Sequence, residues 1–91
     1  MIEIESLVGR FVLSKAGRDS GRVHIIVAQQ ENMVFLVDGD TRKVQSPKRK
    51  KIMHTKLLNH RDSNVEALVL GNKLTNKLAK AAVLTATTNG G

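Results

Sequence analysis

Between two apolar stretches, residues 7–13 and 23–28, the chain carries Ser14-Lys15-Ala16-Gly17-Arg18-Asp19-Ser20-Gly21-Arg22. Glycine supplies the positive-φ or crowded backbone of a β-hairpin connection, so Gly17 and Gly21 predict that the flanking stretches pair as antiparallel strands. Glycine also leaves amide N–H groups unshielded by a Cβ, and Lys15, Arg18 and Arg22 add fixed positive charge around them. Such a loop suits a row of phosphates better than a small apolar ligand.

Short strands and turn signals fill the rest of the first sixty residues. Residues 7–14 read as the first strand and 22–30 as the second, where Val23, Ile25 and Val27 alternate with His24, Ile26 and Ala28. A tight turn at Glu31-Asn32 leads into residues 33–37, and Asp38-Gly39 is a hairpin signal that returns the chain along 41–45. Pro47 turns it again into a fifth strand over 51–55. Five short antiparallel strands predict a mainly β fold, a small SH3-like barrel, because an open sheet of this size leaves unprotected edges.

Strands two and three are apolar on both faces, so something must cover the outside. The candidate is residues 64–84, where Val65, Leu68, Leu70, Leu74, Leu78 and Ala82 recur at helical spacing, with Ser63 or Asn64 as N-cap and Glu66 in the first turn. A break or bend is expected near Gly71-Asn72, since glycine costs a helix interior about 1 kcal/mol relative to alanine, and two short helices fit the pattern as well as one. The expected organisation is a barrel over residues 1–58, a helical segment of the same domain packed on it over 59–84, and a small, polar, flexible tail over 85–91. The pattern leaves open whether Phe11 and Leu13, or Arg10 and Val12, turn inward.

At 91 residues the chain is expected to form one domain. It has no cysteine, which excludes disulfides and thiolate zinc sites. The longest apolar run is five residues, 33–37, and Glu3 and Glu5 stand where a signal peptide needs cations, so no membrane span or leader is expected and the location read is cytoplasmic. Fifteen Lys and Arg against eight Asp and Glu leave a net charge of +7, which favours polyanionic partners. Residues 42–61 hold eight cations (Arg42, Lys43, Lys48, Arg49, Lys50, Lys51, Lys56 and Arg61) and no carboxylate, more than the whole net charge. A solvated basic face is the plain reading of such a run, but Pro47 before Lys48-Arg49-Lys50-Lys51 predicts a turn that holds the cations at the start of a strand.

Gly9-Arg10 at the entry, the Lys15-Ala16-Gly17-Arg18-Asp19-Ser20-Gly21 loop, the Val37-Asp38-Gly39 turn and Pro47-Lys48-Arg49-Lys50-Lys51-Ile52-Met53-His54 follow one another in the order of a KOW motif and its context. Over about residues 5–56 the chain resembles the large-subunit ribosomal protein family called fourteen-e and the bacterial KOW-domain RNA-binding proteins similar to it. The resemblance implies an SH3-like barrel whose first hairpin loop, through Lys15, Gly17, Arg18, Gly21 and Arg22, contacts ribosomal RNA. It implies a second basic patch at Arg42, Lys43, Lys48, Arg49, Lys50 and Lys51. Beyond residue 56 the match fades and the long basic tail of eukaryotic members is missing, so an accessory or assembly role fits as well as residence in the subunit.

Other constellations point elsewhere only weakly. Asp38 and Asp40 around Gly39 are read as turn residues bonding their own backbone, not as paired catalytic carboxylates. His24, His54 and His60 lack ligand spacing, and His54, just after the basic run, is read as a side chain near RNA. No nucleophile elbow is present, and Gly17 and Gly21 do not form a P-loop, so a non-enzyme with no cofactor, metal or small-molecule substrate is expected. The only aromatic residues are Phe11 and Phe35, read as core, which leaves no platform for stacking bases. Recognition is therefore expected to rest on phosphates, 2′-hydroxyls and the shape of folded RNA, ribosomal RNA first, with ribosomal proteins as further partners. The alternative is a protein-interaction module docking a transcription or translation factor; DNA binding ranks lower for want of a recognition helix.

Overall fold

The computed structural model describes residues 6–17 and 20–88. Five antiparallel strands form one sheet: β1 (Phe11–Ser14), β2 (Val23–Gln30), β3 (Met33–Val37), β4 (Lys48–Lys51) and β5 (Thr55–Leu57), in the order β4-β3-β2-β1-β5. A 3-10 turn, Ile52–His54, joins the two edge strands, and α1 (Ser63–Leu70) and α2 (Asn76–Thr88) follow. No described helix is long and apolar enough to cross a membrane.

Each face of the sheet carries a buried apolar cluster, which answers the question left open for β1. Phe11, Ile25 and Val37 lie on one face and pack with Leu58, Val65 and three alanines of α2, Ala79, Ala82 and Ala86. Val12, Ile26, Val34 and Leu36 lie on the other, with Leu7 and Ile52 against them. Adjacent residues of β1 and β2 thus serve opposite cores, and a register shift between Ile26 and Ala28 keeps β2 aligned with β3. Arg10 is also buried, and its Nη2 donates to the Leu58 carbonyl at 3.1 Å.

Several boundaries move from their expected places. The first strand starts at Phe11 instead of residue 7, because the Gly9 N–H bonds Ile26 O at 2.7 Å from a backbone with φ of +89°, outside the ladder. No strand forms over 41–45. There the amides go elsewhere: Arg42 N donates to Asp38 Oδ1 at 2.7 Å, and Val44 N donates to Asn76 Oδ1 at 2.8 Å. The cations 48–51 are themselves the strand paired with β3, and the expected fifth strand over 51–55 is split by the 3-10 turn.

The helical segment breaks where glycine predicts, but its ends differ. Asp62 caps α1, its Oδ1 accepting from Asn64 N at 3.0 Å and Val65 N at 3.2 Å, in place of the expected Ser63 or Asn64. The positive φ of the break, +56°, falls on Asn72 and not on Gly71. Thr75 caps α2 by accepting from Leu78 N at 3.2 Å. The tail expected from residue 85 is helical through Thr88: Ala86 is fully buried in the core, and Thr85, Thr87 and Thr88 bond the carbonyls four residues back.

Candidate nucleic-acid interface

An open groove of about 540 Å³ lies between the start of the first hairpin loop and the β4 edge. Ala16 and Gly17 form one side, while Arg42, Lys48, Arg49, Lys50, Lys51 and His54 form the rest, with Met33. No carboxylate is among the described residues that line it. Three hydrogen bonds hold the sides together. Lys15 N donates to His54 O at 2.9 Å, and the Lys50 ammonium donates to Ser14 Oγ at 2.6 Å and to Ala16 O at 2.7 Å.

The four cations of β4 are not equivalent. Lys48, Arg49 and Lys51 are exposed, and none has a protein acceptor or counter-ion among the described residues. Lys50, in register with Val34, is 9% exposed. Sequence reasoning passed over Ser14, Ala16 and Met33. A serine at a strand end carries no distinguishing signal, and only the approach of Lys50 from 36 residues away gives it a role.

The residues expected to act together divide between two places. Gly17, Arg42, Lys48, Arg49, Lys50, Lys51 and His54 share the groove. Gly21 and Arg22 instead line a second cavity of about 300 Å³, against Lys80, Val83, Leu84 and Thr87 of α2. Arg22 Nη1 lies 3.6 Å from Asp38 Oδ2 and donates to Thr41 Oγ1 at 3.1 Å. Lys15 and Lys43 are exposed outside both linings, and Arg18 lies outside the described residues.

Asp38 organises the loop that carries Arg42. Its carboxylate accepts from Asp40 N at 2.8 Å, Thr41 Oγ1 at 2.8 Å and Arg42 N, as the turn reading expected, and His24 Nε2 is 3.8 Å away. Burial pushes the Asp38 carboxyl up, but the Arg42 and Asp40 amides, the Thr41 hydroxyl and His24 outweigh it and hold the group below its ordinary value. Gly39 follows with φ of +79°, its Cα so close to α2 that a Cβ would overlap the Asn76 carbonyl oxygen. The loop is thus seated on the helix.

No model of a known protein family matches this chain, and no curated protein matches it at a significant level.

Proposed function

We propose that this protein is a non-enzymatic binding module for the sugar-phosphate backbone of structured RNA, an SH3-like barrel that engages its target through the groove between the first hairpin loop and β4. The observation that carries the reading is the groove's lining of five Lys and Arg side chains with no opposing carboxylate among the described residues. The aromatic side chains support backbone contact over base stacking. Phe11 is fully buried, its ring 5.2 Å from that of His60, and Phe35 is half-buried. A barrel is supported by the short 3-10 link between the two edge strands and by Lys50, which reaches from one of them to the end of β1. The resemblance to the fourteen-e ribosomal proteins supplies the address: ribosomal RNA of the large subunit, in the cytoplasm, as a subunit or an assembly factor.

A second reading, a module docking a transcription or translation factor, draws on the exposed Leu70, Leu78 and Leu84 of the helices. Crosslinking the protein to RNA in cells and sequencing the attached RNA separates the two. Recovery of one large-subunit site is expected. A spread over messenger RNA overturns the ribosomal address, and an absence of crosslinked RNA overturns the RNA reading in favour of the second.

A further inference from the structure

Arg42 lines the groove from a loop, where no strand ladder fixes its place, whereas the four cations of β4 stand on a strand paired with β3. Inside the loop the backbone closes on itself. Arg42 O accepts from Asp38 N at 2.9 Å and from Gly39 N at 3.1 Å, and Arg42 N donates to Asp38 Oδ1. These bonds set the shape of the turn. Asn76, the first residue of α2, then attaches it to the helical layer at two points. Its main-chain carbonyl lies against Gly39, on the N-terminal side of Arg42, so closely that a Cβ on the glycine would overlap it. Its side chain holds the other limb: Oδ1 accepts from Val44 N at 2.8 Å, and Nδ2 donates to Gln45 Oε1 at 2.9 Å.

The helix itself does not use that side chain. Thr75 caps α2, its hydroxyl accepting from Leu78 N and its carbonyl from Ala79 N at 2.8 Å, and Ala79, Ala82 and Ala86 anchor the helix in the core. Asparagine is a poorer helix former than alanine, so the amide is retained here at a cost to α2. What it supplies is an acceptor and a donor in one planar group. The acceptor satisfies the amide of half-buried Val44, which packs against the core. The donor reaches an exposed glutamine, which water would satisfy equally, so the second bond adds restraint and no rescue of a buried group.

We propose that Asn76 is a positioning residue for RNA binding: by gripping both limbs of the loop it fixes Arg42 in the groove, and α2 thereby serves the binding face as well as the core. This rests on the groove being an RNA-backbone site. Asn76 itself is outside the lining of the groove. Without its side chain Arg42 keeps its charge, but the loop must be ordered as the RNA binds, and that ordering is subtracted from affinity.

The test has two arms on the full chain, both built on Asn76→Ala, which removes the two side-chain bonds, changes no charge and favours the helix. In the first, amide hydrogen exchange is followed in the free protein. Faster exchange at Arg42 and Val44 is expected, with Lys48 to Lys51 unchanged; native exchange at both loop amides overturns the grip. In the second, binding of a folded fragment of large-subunit ribosomal RNA is measured for Asn76→Ala, Arg42→Gln and the double variant. Asn76→Ala alone is expected to weaken binding roughly three- to tenfold, to add nothing in the Arg42→Gln background, and to multiply with Lys48→Gln. A loss of general structural origin would multiply with both. Native affinity in Asn76→Ala, or a loss that multiplies with Arg42→Gln, overturns the proposal and leaves the groove as an RNA site. Gln45→Ala takes away only the Nδ2 bond, at an exposed side chain, and is expected to show the same pattern at roughly two- to threefold, so the comparison stands if Asn76→Ala fails to fold. Faster exchange at the loop amides in a protein that binds no RNA overturns the RNA reading and, with it, the role of Asn76 in binding.

Discussion

Replacing Lys48, Arg49 and Lys51 together by glutamine removes three of the five Lys and Arg side chains that line the groove. All three are exposed, so the fold should lose no buried contact, and stability should change by less than about 1 kcal/mol. The effect on binding follows from counterion release. If each of the five cations neutralises one phosphate, log K falls with log salt at a slope of roughly −3.5 to −4.5, which weakens binding roughly 130- to 500-fold between about 50 and about 200 mM salt. With two cations left the slope is roughly −1.4 to −1.8 and the same change in salt costs roughly 7- to 12-fold. Fluorescence polarisation with a labelled, folded ribosomal RNA fragment over a salt series measures both slopes. An unchanged slope in the folded triple variant would refute the placement of RNA in this groove, and an unfolded variant would show that these side chains support the sheet.

Gly39→Ala should lower stability by roughly 2 to 4 kcal/mol, since the new Cβ needs a left-handed φ and would sit 2.7 Å from Lys80 N as well as on the Asn76 carbonyl; an unchanged urea midpoint would contradict that packing. Because Asp38 titrates below its ordinary value when folded, its contribution is complete above the usual carboxylate range and is lost as pH falls through the folded pKa. The melting temperature should therefore drop below about pH 4, and the native protein and Asp38→Asn, well separated at pH 6, should converge on acidification; curves that stay parallel would remove Asp38 from the network. Asp62→Ala should cost about 1 kcal/mol and speed hydrogen exchange at the Asn64 and Val65 amides first, an effect absent if α1 is held by packing alone.

How far the site could be read in advance depends on how local its causes are. Residues 33–37 form a strand as expected, because five consecutive apolar residues between turn signals satisfy both faces of a sheet covered on each side. The break near Gly71-Asn72 also follows from nearby residues. The strand expected over 41–45 fails for a distant reason. Asn76, 32 residues beyond Val44, takes its amide, and Asn76 Nδ2 also donates to Gln45 Oε1 at 2.9 Å. A window-by-window reading has no access to a partner supplied by another element.

The charge of the groove belongs to the sequence alone: the run of cations over 42–61 without a carboxylate specifies a strongly cationic surface wherever the chain places it. Which cations meet is a tertiary outcome. Arg22, adjacent to the loop glycines, turns to Asp38 and α2, while Arg42 and β4 meet Gly17. Lys48, Lys50 and Lys51 are the same residue type within four positions, and only pairing with β3 makes one of them interior. Composition sets how much charge a surface carries; strand register decides which of those side chains is drawn into the sheet and which stay exposed.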